Sequence, residues 1–121
     1  MISLVQRLHV GPRLSDIAIH NNVAYLAGQV PSQSRGGPIL DQVAEVLNLI
    51  EDRLRECGSA KDQILSTLIF LRRTEDFIAM NEVWDAWVVP GSTPPRATMQ
   101  ASAMNPAIDV EIIVTAAVQA S

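Results

Sequence analysis

Two helix-like stretches set among five or six short strand-like runs place this 121-residue sequence in the α+β class. Three observations carry that reading. Apolar residues alternate at Ser15–His20, then recur at helical spacing from Ile39, so the period shifts from two to about 3.6 within one short stretch. Turn residues punctuate every change of period. The length suits one domain, residues 1–121, and is too short for two ordinary ones.

The elements follow in order. A short strand is expected near Leu4–Leu8. SDIAIH (15–20) alternates as a half-buried strand, Asn21-Asn22 tolerates the positive φ of a tight turn, and VAYLAG follows as a second strand ending at Gly28. PSQSRGGP (31–38) is a turn-rich loop. From Ile39 to Cys57, Ile39, Leu40, Val43, Val46, Leu47, Ile50 and Leu54 form one helical face, with Gly58 as its stop. QILSTLIFL (63–71) is apolar enough for a strand covered on both faces. Thr74-Glu75-Asp76 opens a second helix whose inner face is Phe77, Met80, Trp84 and Trp87. PGSTPP (90–95) breaks it. Arg96–Ala101 and Asp109–Val118 read as strands around the turn SAMNPAI.

Composition narrows the function. Hydrophobic residues make up 48% and charged residues 18%, as in a compact soluble fold. The net charge of −4 and the absence of a basic stripe argue against nucleic-acid binding through phosphates. No stretch suits a signal peptide or a membrane span, and the lone Cys57 has no internal disulfide partner, so a reducing, cytoplasmic setting is expected. Phosphate-loop, dinucleotide and Cys-cluster signatures are missing. His9 and His20 are too few and too far apart to predict a metal site, and Cys57 reads as a small apolar residue at a helix end.

Chemistry concentrates in the last strands. Arg96 follows Pro94-Pro95, which stiffens the approach to its strand. Alternation puts Arg96, Thr98 and Gln100 on one face. Arg96 is either a two-pronged carboxylate binder or half of a surface ion pair. Glu111 interrupts an aliphatic strand, and a charge there needs a partner. A symmetrical hairpin would set Glu111 directly across from Arg96. Asn81 falls on the apolar side of its helix, as a ligand contact or as a buried amide bonded to backbone.

Three segments, AYLAGQVP, EDFIAMNEVWDAWV and PPRATMQASAMNPAIDVEIIVTAAV, give the chain a resemblance to a known family. It resembles the reactive intermediate deaminase (Rid) family, also called the YjgF type, and within it the YoaB-like branch. The resemblance spans nearly the whole chain. It implies a chorismate-mutase-like α+β fold, a homotrimer with ligand clefts between subunits, and hydrolysis of 2-imino or 2-enamino acids such as 2-aminoacrylate to 2-keto acids and ammonia. No cofactor or metal is implied. By similarity Arg96 holds the substrate carboxylate, Glu111 positions the attacking water, and Asn81 and Gly28 line the substrate site. Arg13 or Leu14 falls where the best-known branch carries a tyrosine, Ala97 and Thr98 where it often carries a cysteine just after the arginine, and Ala27 where it carries a serine. These departures leave the carboxylate clamp in place and bear on substrate preference and proton handling. The alternative expectation is a trimeric protein that binds 2-keto acids or related metabolites in the same cleft without turnover.

Overall fold

The computed structural model describes residues 4–119. Ten elements run in order: β1 (Gln6–Val10), β2 (Ser15–His20), β3 (Val23–Leu26), α1 (Ile39–Glu56), a 3₁₀ turn (Lys61–Gln63), β4 (Ile64–Leu71), a second 3₁₀ turn (Thr74–Asp76), α2 (Phe77–Trp87), β5 (Arg96–Gln100) and β6 (Val110–Ala117). The six strands form one mixed sheet in the order β1-β2-β3-β6-β4-β5. Only β4 and β5 are parallel; the other pairs are antiparallel. This is the expected α+β domain, with both helices on one face. No helix among the described residues is long and apolar enough to cross a membrane.

Local chemistry explains the boundaries. Asn21 and Asn22 take φ of 51° and 63°, the left-handed pair that matches the twist of the β2–β3 hairpin. At the end of α1, Gly58 has φ 79°; its N–H reaches the Arg55 carbonyl while the Ser59 N–H reaches Leu54 at 2.8 Å. That pair of bonds is a Schellman closure. The helix buries Val43, Val46, Leu47, Ile50 and Leu54 against Ile17, Ile69, Val110, Ile112 and Val114 of the sheet.

Several expectations shift. The first strand begins at Gln6 rather than Leu4. Leu40 is exposed, and the buried residue beside it is Gln42. Gln42 is satisfied internally: Nε2 donates to the Gly37 carbonyl and to Asp109 Oδ2, and Oε1 accepts from the Asp109 N–H at 2.8 Å. Arg72 and Arg73 also contact the Asp109 carboxylate, at 3.3 and 3.2 Å. The start of β6 is therefore held by α1 and by the residues after β4. Within one chain β4 is covered on one face only: Ile69 and Leu71 are buried, while Leu65 is exposed and Phe70 half-buried. Phe77 does not join the core, being 43% exposed at the start of α2.

Candidate functional site

Arg96 opens β5, pairs with Thr67 of β4 and turns toward the helix layer. Its Nη1 donates to Asn81 Oδ1 at 2.8 Å. Its Cζ lies 5.3 Å from the Trp84 ring centroid and 5.9 Å from that of Phe77. Each such contact with an aromatic face is worth about 0.5–2 kcal/mol, more where water is excluded. The aromatic spacing in α2 supplies these rings because Phe77, Asn81 and Trp84 fall on one helix face. With one nitrogen tied to Asn81, the rest of the guanidinium carries no other hydrogen bond or ion pair among the described residues. Asn81 thus acts neither as a solvated polar residue nor as a backbone-bonded amide; it orients Arg96.

Thr98 lies two residues along on the same face. Its hydroxyl, like that of Thr67, is buried without a partner. Beyond it, Leu71, Thr74, Phe77, Thr98, Met99 and Gln100 surround a pocket of about 270 Å³.

Glu111 belongs to a second constellation. It lies on β6 opposite Phe70 of β4. Its carboxylate rests against Gly28: a Cβ at position 28 would fall 2.0 Å from Glu111 Oε2. The approach is fixed by the bridge from Gln29 to Ile112, whose two backbone bonds measure 2.9 and 3.1 Å. Beside Glu111 runs a groove of about 200 Å³ lined by Phe70, Ser102, Ile108 and Val110 among others. Leu14 is 58% exposed in the β1–β2 turn. It lies at the same end of the sheet as Gly28, because the Asp16 carbonyl accepts from the Ala27 N–H.

The expected Arg96–Glu111 pair does not form. β5 and β6 are not neighbours, since β4 lies between them. Arg96 aligns with Thr67 and Val114, Glu111 with Phe70 and Met99. Thr67 and Phe70 are an odd number of residues apart, so the two charges project from opposite faces of the sheet. The burial of β6 agrees: Val110, Ile112 and Val114 are buried under the helices while Glu111, Ile113 and Thr115 are half-buried on the other side. The segment 101–109 is therefore a crossing connection rather than a hairpin turn. One chain yields two half-sites, Arg96 with Asn81 and Thr98, and Glu111 with Gly28.

Glu45 accepts from the backbone N–H groups of Ser32, Gln33 and Ser34 and from the Ser34 hydroxyl, which together hold its carboxyl at about 2. Nothing in its position in the sequence distinguished it from the other helix acids. His9 hydrogen-bonds Glu56 and so lowers that carboxyl below its ordinary value. Cys57 is buried, and burial raises its thiol. Among the described residues no three of His, Cys, Asp and Glu gather as a metal-ligand group.

Comparison with known proteins decides the family. Residues 5–118 match the family model described as endoribonuclease L-PSP. Among curated relatives, the RutC family protein YoaB of Escherichia coli is 45% identical over 114 residues, covering 94% of this chain and 98% of the relative. The chain is a member of the Rid (YjgF) family. A RutC family protein of Haemophilus influenzae is 43% identical over 112 residues, covering 93% of this chain and 97% of the relative. Among solved structures, a YjgF family member from Neisseria meningitidis superposes with a TM-score of 0.92 at 38% identity, covering 97% of each chain. A Pseudomonas aeruginosa chain gives 0.92 at 37% identity, covering 96% of this chain and all of its own. The matched residues include Gly28, Asn81, Arg96 and the strand carrying Glu111.

Proposed function

We propose that the chain hydrolyses 2-imino acids, and the 2-enamino acids that tautomerise to them, to 2-keto acids and ammonia. The observation that supports this best is the guanidinium of Arg96, bonded to Asn81 on one edge and flanked by Trp84 and Phe77, with the remainder of its donor fork unpaired. A group so held suits a small carboxylate through parallel hydrogen bonds. Because Glu111 leaves the opposite face of the sheet, the proposed cleft joins the Arg96 half-site of one copy to the Glu111–Gly28 half-site of another. A closed ring of identical subunits repeats that contact, and a homotrimer is the proposed assembly.

In the proposed reaction Arg96 binds the carboxylate of a protonated imine and presents C2. Glu111 hydrogen-bonds a water and takes one of its protons as the oxygen bonds to C2. The C=N electron pair moves to nitrogen, giving a neutral amine on a tetrahedral carbon. The proton on Glu111 passes to that nitrogen, the C–N bond breaks as ammonia leaves, the hydroxyl gives its proton to the freed Glu111 carboxylate as it becomes the keto oxygen, and that proton departs with ammonia as ammonium. Orientation and general base action supply the acceleration.

The test generates 2-imino acids in situ with an amino-acid oxidase and follows 2-keto acid and ammonia. Arg96→Ala should abolish the acceleration while sedimentation shows the assembly intact. An Arg96→Ala protein as active as wild type sinks the clamp. A second reading, ligand binding without turnover, draws on Leu14 and Thr98: one is an exposed aliphatic side chain and the other hides its hydroxyl, so neither offers a proton donor to the cleft. Calorimetric binding of pyruvate without any rate enhancement would favour it.

A further inference from the structure

The connection from β5 to β6, residues 101–109, contains no helix or strand, yet one residue outside it holds it along its length. That residue is Arg72, which directly follows β4. Its Nη2 donates to the Asn105 carbonyl at 3.3 Å, and its Nε is shared between the Ile108 carbonyl at 3.4 Å and Asp109 Oδ1 at 3.3 Å. Its backbone N–H donates to the Asp109 carbonyl at 3.0 Å, and its own carbonyl accepts from the Gln100 amide at 3.2 Å. Arg72 thus touches the connection where it leaves β5, at its middle and where it enters β6.

What the connection borders gives this brace a role. Ser102, Ile108 and Asp109 help to wall the groove beside Glu111, and Asp109 lies two residues before Glu111 in the chain. Glu111 has no ion pair among the described residues, so its direction follows from its backbone and from its contact with Gly28. The largely buried Asp109 carboxylate is shared by Arg72, Arg73 and the Gln42 amide. Gln42 also holds the Gly37 carbonyl, and the Gly36 N–H donates to the Ala107 carbonyl at 2.9 Å. The loop beyond Gly28 and the strand carrying Glu111 are therefore tied at one point. A buried carboxylate keeps its place only while its partners remain. Arg73 is exposed and gives Asp109 one contact, whereas Arg72 is half-buried and bonds two carbonyls as well. A planar guanidinium can bridge several fixed acceptors at once; a single ammonium cannot reproduce that geometry.

We propose that Arg72 is a positioning residue for the hydrolysis: by bracing residues 105–109 it sets the start of β6, and so the direction in which Glu111 meets its water. It touches no reacting atom and belongs to neither half-site. The inference rests on the deaminase reading of those half-sites. A displacement of about 1 Å at a reacting group costs on the order of 100-fold in rate, so a brace this close to the base has a kinetic signature.

The experiment measures kcat and KM separately for Arg72→Met, Arg72→Lys and Arg73→Met on an imine generated in situ, with sedimentation and thermal melting alongside. Arg72→Met should lower kcat by about ten- to a hundredfold and leave KM within about twofold, because the Arg96 clamp is untouched. Arg72→Lys, which keeps the charge beside Asp109 but not the bridge to the carbonyls, should fall between Arg72→Met and wild type. Arg73→Met should stay close to wild type. Wild-type kcat in a folded Arg72→Met protein overturns the inference, as does an equal loss in Arg73→Met or a change confined to KM. If Arg72→Met does not fold, Arg72→Lys decides: a lower kcat at unchanged KM supports the brace, and wild-type kcat removes it. If wild type hydrolyses no imine, the deaminase reading fails by itself, and the brace is read from the amide resonances of Gly28 and Glu111. Their displacement in Arg72→Lys supports it; wild-type positions remove it.

Discussion

Gly28 is defined by what cannot be added to it. A methyl there would lie 2.0 Å from Glu111 Oε2, and that oxygen is the movable end of a side chain. Gly28→Ala should therefore displace the carboxylate at little cost in stability, with the melting temperature nearly kept and imine hydrolysis reduced at least tenfold. Retained activity would mean Glu111 works from another position. Glu111→Gln, which keeps shape and removes the base, should cost roughly 10²–10⁴-fold in kcat, the span of general base contributions. Trp84 makes a different prediction. It is 6% exposed and flanks Arg96, so Trp84→Leu should raise KM by several-fold beyond any loss of stability, while Trp84→Tyr restores part of it. Equal KM in the Leu and Tyr variants would assign Trp84 to the core alone. Arg96, Glu111 and Asn81 stood out in the sequence because each is a polar residue set against an apolar pattern. The bond between Arg96 and Asn81 was not, because residues on a helix and on a later strand meet only through the packing of α2 on β4 and β5.

At the level of elements, α1 and the β2–β3 hairpin followed directly from period and turn chemistry. The carboxy-terminal strands did not. Arg96–Ala101 and Asp109–Val118 look like a hairpin along the chain, yet the aliphatic run of β4 takes the place between them and pairs with both. A strand apolar on nearly every residue competes better for the centre of a sheet than one with Arg96 and Gln100 on its inner face. The loop before α1 carries a prediction of its own. Glu45 ties residues 32–34 to the helix, and its carboxyl is lowered from an ordinary 4.5 to about 2, first by the Ser34 hydroxyl and then by backbone N–H groups. A carboxyl lowered by folding stabilises fully above its unfolded value and loses that contribution as pH falls through its folded one. The amide resonances of Ser32–Ser34 should thus stay native at pH about 4 and shift only toward pH about 2. A midpoint near 4.5 would show that the cradle does not form in solution.

For the molecule as a whole, the helices cover one face of the sheet and leave the other open. Tyr25 and Met99 there are 52% and 44% exposed, beside the half-buried Ile113 and Phe70. Large apolar side chains gathered on one exposed face are what the proposed assembly would bury. Tyr25→Glu or Met99→Glu should leave the single chain folded, shift sedimentation toward monomer and remove activity in proportion. An active monomer would refute the composite cleft. Periodicity alone could not show that the two charged residues point apart, because that depends on the parity of their alignment across β4.

That parity also has a consequence for mixtures of damaged molecules. An Arg96→Ala chain still carries an intact Glu111, and a Glu111→Gln chain an intact Arg96. If each cleft draws the two residues from adjacent copies, two inactive proteins unfolded and reassembled together should recover about a quarter of wild-type activity, the chance that one intact half meets the other around a ring. Two lesions confined to one copy's own site would recover none.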